Sequence, residues 1–572
     1  MKNFWESTRA KDPSRLMSSF WMCAGALSLA WAWLIPNHFL PWISFHRDMW
    51  VALNLLLGSF VLIACDRRAI PWYPLSIVAA ATVAVPAIQW WCGLVLFEGT
   101  AWISIAYILG FLLATLTGAT WAKRNADELA DTLFISIGFA ASLSVAIALY
   151  QWLNMTGMGF WILLIAEDRR AIGNLAQPNQ LATFLNWGLL ACAWALSRGL
   201  VRGPVALLWA VYLLTGIALT QSRTSWVILT VLAFSLWHWR ALLKLRGAQW
   251  IVLGLACYFM LLNIALEPLA NALYLGDTIS PLAKTPHETR PAIWGMLLDA
   301  SFQHPWAGYG WTQVSLAQLT VATNHPEIKG ISLSHAHNLF LDFVLYMGWP
   351  IGLALSVATM VWWWRHFRRI AQVGNAILFL FVTAVGIHAM LELPLHYGYM
   401  LLPTGLVMGM LDSRNSARNP RMGSRWVYAA ICLCGSVLLG VVIRDYLIIE
   451  ANYQAYRFEK ARIGTLPPGK TPDVRLLTQH REILRMGRFT PVPGMTPEQI
   501  QQMIDVTETY MSVSNIYELA LTLGLNHRDA EARAWLVKAC YVLPDEHCSM
   551  GKAAWREAQQ TYPELASISW PR

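Results

Sequence analysis

Charge is scarce in this chain. Asp, Glu, Lys and Arg make up 13% of its 572 residues, against 56% hydrophobic. A soluble protein of this size carries about 25% charged residues, so a soluble fold is excluded. The apolar residues come in long blocks, which points to an all-α, polytopic helical membrane protein. The formal charge of +9 does not imply nucleic acid, because most Lys and Arg sit in short loops between apolar blocks, where they set topology. No cleavable signal peptide is visible. The first apolar block follows Lys2, Arg9, Lys11 and Arg15 but is long and has no small-residue cleavage site, so it is expected to stay as a span. The nine cysteines include no CxxC pair. Seven lie in or beside apolar blocks and read as packing residues. Cys540 and Cys548 lie in a polar region and are expected either to form a disulfide in an oxidising compartment or to stay as two free thiols.

Blocks long enough to span lie near 17–35, 49–64, 74–97, 101–120, 132–153, 180–197, 204–220, 224–239, 248–266, 337–364, 374–390, 397–411 and 426–448, about thirteen in all. Alternate loops hold Arg67 and Arg68, Lys123 and Arg124, Arg198 and Arg202, Arg240 with Lys244 and Arg246, Arg365 with Arg368 and Arg369, and Arg414, Arg418, Arg421 and Arg425. The positive-inside rule assigns these loops and the N-terminus to the cytoplasm. The C-terminus then lies outside. Two parts are expected: a membrane part over 1–448, which includes a long outer loop at 269–336, and a small helical domain over 449–572. The tail contains NIYELALTLGL and DAEARAWLVKACYVL, which look like antiparallel helix pairs of the tetratricopeptide kind, without a clean 34-residue period.

The outer loops hold the candidate chemistry. Loop 36–48, PNHFLPWISFHRD, has two histidines among aromatics. Loop 154–179 begins with an apolar stretch too short to span, expected to lie in the interface, and ends in EDRRAIGNLAQPNQ. The turn QSR at 221–223 leaves Arg223 almost in the membrane. The loop at 269–336 is long enough to suggest function; Thr289 to Ala300 reads as an amphipathic helix and GYGW as a turn.

Arg170, Arg223 and Arg290 are each near a membrane mouth. Arginine is always charged and offers forked donors that suit phosphate oxygens, so three of them converging on one cavity suggest a pyrophosphate-like ligand. The plainer reading is a headgroup contact, or an ion pair with Glu167, Asp168 or Glu288. His335 and His337 precede an apolar run. Two imidazoles two residues apart can share a metal, but neighbouring acids are few, and a site would need more ligands. General acid–base chemistry beside an anion site suits them better; the plainer reading is a histidine satisfied at a helix start. Asn338 can cap that helix. Gln177, Asn179, Glu392, His396, Tyr397 and Tyr399 are polar groups able to orient a sugar or an acceptor, though each alone is commonly a satisfied interfacial residue.

These motifs together resemble the bacterial superfamily of O-antigen ligases, O-antigen polymerases and O-oligosaccharyltransferases. His337-Asn338, nine residues and then Gly348 match its His-Asn pattern. QSRTSW at 221–226 and TRPAIW at 289–294 resemble its two arginine segments. AIGNLAQPNQLATF and LELPLHYGYMLLP resemble the subgroup that glycosylates proteins, type IV pilins above all. In some ligases a glycine stands where this chain has Ile351, followed by Gly352. The resemblance implies a donor oligosaccharide on undecaprenyl pyrophosphate, an acceptor Ser or Thr of an exported, pilin-like protein, and a bacterial inner-membrane enzyme with a periplasmic tail. It implies no cofactor, because the pyrophosphate supplies the driving force and no metal is required. His337 would be the base, Arg223, Arg290 and Arg170 the pyrophosphate ligands, and Gln177, Asn179, His335, Asn338, Glu392, His396, Tyr397 and Tyr399 the lining. The competing readings are an O-antigen ligase or polymerase with a glycan acceptor, and a transporter of lipid-linked substrate. Against the transporter, the chain shows no internal inverted symmetry.

Overall fold

The computed structural model describes residues 13–164, 170–243, 247–275, 289–416, 419–464 and 469–571. Lys2, Arg9, Lys11, Glu167, Asp168, Lys244, Arg246, Glu288 and Arg418 lie outside the described residues. The membrane part is built from α1 (Pro13–Leu34), α2 (Phe45–Cys65), α3 (Pro74–Thr82), α4 (Ala84–Trp91), α5 (Glu98–Arg124), α6 (Glu128–Trp152), α7 (Pro178–Ser197), α8 (Gly203–Leu219), α9 (Arg223–His238), α10 (Arg240–Leu243) and α11 (Ala248–Ala272). The long loop contributes α12 (Arg290–Gln303) and α13 (Val314–Val321). Then come α14 (Leu339–Phe367), α15 (Val373–Ala389), α16 (Gly398–Asn415) and α17 (Arg425–Lys460). Strands β1 (Ile70–Trp72) and β2 (Arg421–Gly423) pair antiparallel as a short clip.

Every apolar block of the sequence coincides with a helix. The block at 74–97 is split into α3 and α4 just before Pro86, which has no N–H to continue the first helix. Among the described residues seven helices are long and apolar enough to cross a membrane, and three shorter apolar ones accompany them. The protein is a polytopic helical membrane protein. Its main core lies where α6, α7, α8, α15 and α16 meet. Helices α5 and α16 cross almost backbone to backbone: a Cβ on Gly118 would meet the Leu406 carbonyl oxygen at 2.0 Å, and one on Gly409 that of Thr115 at 2.0 Å. Small residues allow such an approach between membrane helices.

The tail holds α18 (Thr478–Arg488), α19 (Pro497–Thr509), α20 (Val513–Leu525), α21 (Asp529–Val542) and α22 (Asp545–Thr561). The two predicted helices of the tail are α20 and α21. The expected boundary at 448/449 falls inside α17, which runs unbroken for 36 residues. Asp445, fully buried on α17, accepts from the backbone amides of Arg475, Leu476 and Leu477 and so ties the tail to that helix. Leu319 and Ala322 of the long loop belong to the same hydrophobic cluster as α19–α22. Gly330 N donates to Tyr541 O at 2.9 Å, and Ser315 Oγ to Glu508 O at 2.9 Å. Loop and tail therefore share one core. A disulfide joins Cys540 on α21 to Cys548 on α22.

Candidate active site at one end of the helix bundle

Helices α7, α9, α12 and α14 all begin at this site, and their orphan N–H groups favour negative charge. Pro178 and Pro291 stand in the first turns of α7 and α12, where a missing N–H costs nothing. Asn338 caps α14, its side chain accepting from Phe340 N at 3.1 Å and Leu341 N at 3.2 Å. The loop before it is pulled tight by Asp342, whose carboxylate accepts from Ala336 N at 2.8 Å, while Ala336 O accepts from Trp294 Nε1. This sets His337 at φ 54°, a left-handed backbone that histidine tolerates better than most residues but still at about 1–3 kcal/mol. Lower down, Gly348 kinks α14 at φ 73°, and a Cβ there would meet Trp306 backbone atoms at 2.5 Å.

Glu392 organises the site. It follows α15, and its own amide donates to His388 O at 2.8 Å. One carboxylate oxygen takes Arg290 Nη2 at 2.5 Å and Asn179 Nδ2 at 3.3 Å. The other lies 3.2 Å from His337 Nδ1, at ion-pair distance, although that nitrogen is buried without an aligned hydrogen bond. Burial alone would raise the Glu392 carboxyl. The contact and charge of His337 and of Arg290 outweigh it and hold Glu392 at about 2, below the usual 4.5. Asn179 Oδ1 in turn accepts from Arg170 Nη2 at 3.2 Å and Ser222 Oγ at 2.7 Å. Arg223, exposed, opens α9 directly after Ser222. One network thus connects Arg170, Asn179, Glu392, Arg290 and His337, with Arg223 at its edge.

His335 lies beside His337 with ring centroids 4.1 Å apart and the rings tilted by 52°. Burial first, then the charges of His337 and His396, lower its pKa from 6.5 to about 2, so it stays neutral at working pH. Its Nδ1 meets Ser334 Oγ at 2.9 Å, and its Nε2 has no protein partner. His396 is lowered by burial to about 4 and contacts the Tyr346 hydroxyl at 3.3 Å. Gln177 and Tyr397 line a separate polar cavity nearby. Tyr399 is wholly buried, packed beneath the Arg47 guanidinium at 5.6 Å, and does not itself line the opening.

The scarcity of acids near the histidines does not survive folding. Ligand atoms of His335, His337 and Glu392 come within 4.8 Å of one another, in a geometry that metal ligands adopt. The Arg290 guanidinium already shares that carboxylate and supplies cationic charge at the spot. Residues missed by sequence reasoning are Ser222, Asp342, His388 and Arg47. Asp342 and His388 sit in runs that read as membrane helix, and Arg47 lies unremarked in loop 36–48.

Three stretches of this helical membrane protein match known families. Residues 171–196 match a family described as "Protein glycosylation ligase", 208–356 one described as "O-Antigen ligase", and 376–559 one described as "Virulence factor membrane-bound polymerase, C-terminal". Each stretch contributes to the site: the first Gln177 and Asn179, the second Arg223, Arg290 and His337, the third Glu392 to Tyr399, while Arg170 lies just before the first. These matches fit the O-antigen ligase and O-oligosaccharyltransferase superfamily, and the chain is a glycosyltransferase. The general O-oligosaccharyltransferase of Acinetobacter baylyi is 29% identical over 522 residues, 89% of this chain and 90% of the relative. The ComP-specific O-oligosaccharyltransferase of the same organism is 25% identical over 437 residues, covering 75% and 78%.

Proposed function

We propose that the protein transfers an oligosaccharide en bloc from a lipid pyrophosphate to a Ser or Thr hydroxyl of an exported protein. The donor lipid is undecaprenyl pyrophosphate, the acceptor pilin-like, and the reaction runs on the periplasmic face of the bacterial inner membrane. The observation that carries this reading is the line Arg290–Glu392–His337. Glu392 beside Nδ1 favours the tautomer with its proton there and leaves the Nε2 lone pair for a hydroxyl. His337 takes the acceptor proton as the hydroxyl oxygen attacks the anomeric carbon. The bond to the pyrophosphate oxygen breaks on the opposite face, so the configuration inverts. Arg290, Arg223 and Arg170, with the helix N-termini of α9 and α12, stabilise the charge on the departing pyrophosphate. His335, neutral beside His337, does not add a competing charge. Gln177, Asn179, His396 and Tyr397 border the donor and acceptor groups. Two parts divide the work: residues 1–448 carry the chemistry, and 449–572, packed on the long loop, present the acceptor side.

The test is an intact-mass comparison in cells that supply a lipid-linked glycan, a pilin-like protein and lipid A core. A glycan-sized mass increase on the pilin, lost in His337→Ala with unchanged melting, is expected; removing a general base costs about 10²–10⁴-fold in rate. Sugar on lipid A core instead would make the protein an O-antigen ligase. Full transfer by His337→Ala would end the mechanism.

A further inference from the structure

A polar cavity of ≈ 160 Å³, lined among others by His38, Ser44, Arg47, Ala176, Gln177 and Tyr397, lies beside the Arg290–Glu392–His337 line and holds none of those three residues. One water needs only about 15 Å³, so the space suits something larger. One lining residue is Arg47, 1% exposed. The guanidinium donates to Leu175 O at 3.1 Å and Asn37 O at 3.1 Å, and touches His38 Nδ1 at 3.3 Å. Its Nε has no partner, and no ion pair to Arg47 occurs among the described residues. The adjacent carboxylate, Asp48, is committed to Ser44 Oγ, the Tyr107 hydroxyl and the Tyr399 amide. Across the cavity, Gln177 Oε1 is buried and equally unpartnered.

A buried guanidinium with an unpartnered Nε and, among the described residues, no carboxylate in ion-pair contact, and a buried amide oxygen without a partner, are costly unless a ligand completes them. The two groups ask for opposite things: Arg47 for an acceptor, Gln177 for a donor. A simple anion would serve the first and be repelled by the second. A sugar ring, whose hydroxyls both donate and accept, serves both. The cavity also borders the chemistry through two segments of chain. Gln177 stands two residues before Asn179, which bonds Glu392, and Tyr397 stands five after Glu392.

We infer that this cavity is a subsite for one pyranose unit of the donor glycan, held between Arg47 and Gln177. The inference rests on the glycosyl-transfer reading above, and binding tests it without transfer. Purified protein in nanodiscs is titrated with a lipid pyrophosphate carrying its glycan and with the same lipid pyrophosphate lacking it. The wild type binds the glycosylated form about tenfold or more tightly. Ile43→Trp, which fills the cavity, erases that preference while leaving affinity for the glycan-free lipid unchanged. Gln177→Leu, which removes an oxygen that has no protein partner and so folds at little cost, reduces the preference in the same way. Equal binding of the two lipids by the wild type, or an undiminished preference in both variants, overturns the subsite. His337→Ala keeps the preference while losing transfer. A wild type that binds with preference but transfers to no protein leaves the subsite standing and sinks the protein-acceptor reading instead.

Discussion

Glu392 is the residue on which the site turns, because Arg290, Asn179 and His337 all meet its carboxylate. Glu392→Gln keeps the shape but reverses one side of the hydrogen-bonding pattern and removes the charge. Transfer is expected to fall about 10²–10⁴-fold, by analogy with loss of an orienting carboxylate behind a histidine base, measured as initial rate with saturating donor. The carboxyl's folded pKa, about 2, lies below its ordinary 4.5. Its ionised form is therefore the stabilising one. That contribution is whole above about 4.5 and fades as pH falls from there toward 2. Melting temperature should drop more between pH 6 and pH 3 in the wild type than in Glu392→Gln; equal drops would show that the ion pairs add nothing to folding. His337, Arg290 and Glu392 were readable as suspects because polar groups at a membrane mouth are rare. Arg47 was not, since in loop 36–48 the two histidines among the aromatics drew the attention and a single arginine there carried no pattern of its own. Nor was the pairing of Glu392 with His337, which are 55 residues apart in sequence.

Among the elements, α14 couples the site to the long loop. Its kink lets the turn at Gly308 pack against it: Tyr309 N donates to Leu345 O at 2.7 Å and Trp349 N to Pro305 O at 2.8 Å. Gly348→Ala asks a Cβ to occupy both a left-handed backbone and the space of Trp306. A loss of about 1–3 kcal/mol is expected from the backbone alone, read as a lower melting temperature, with reduced transfer because His337 stands one helical stretch away. Each apolar block announced helix in the membrane part, while the short α10 falls between two blocks. They did not announce the split between α3 and α4, or α13, which is short and lies in a polar loop. Helix α12 was legible from its amphipathic pattern, and it begins one residue later than predicted.

At the scale of the whole molecule, the tail and the long loop are one body sewn from two distant pieces of chain. Nothing local in either piece marks this, since Leu319 and Ala322 look like ordinary apolar residues of a loop. The disulfide between Cys540 and Cys548 spans eight residues, and on the loop-entropy view its closure is worth about 2–3 kcal/mol. Cys540→Ser with Cys548→Ser should lower the melting of the tail by a corresponding amount. Limited proteolysis should then cut the long loop sooner as well, whereas unchanged cleavage there would mean that loop and tail melt independently.

The shared core also imposes a timetable. Residues 314–322 leave the ribosome about two hundred residues before α20 and α21, which cover them. Through that interval the helix carrying Leu319 lacks its covering partners, and the strand of chain leading to His337 hangs from it. Each newly made copy therefore lacks the packing behind that stretch until α20 and α21 have been synthesised and have folded back. A chain halted between α17 and α20 would have its spans and its arginines, yet not the helices that cover Leu319 and Ala322.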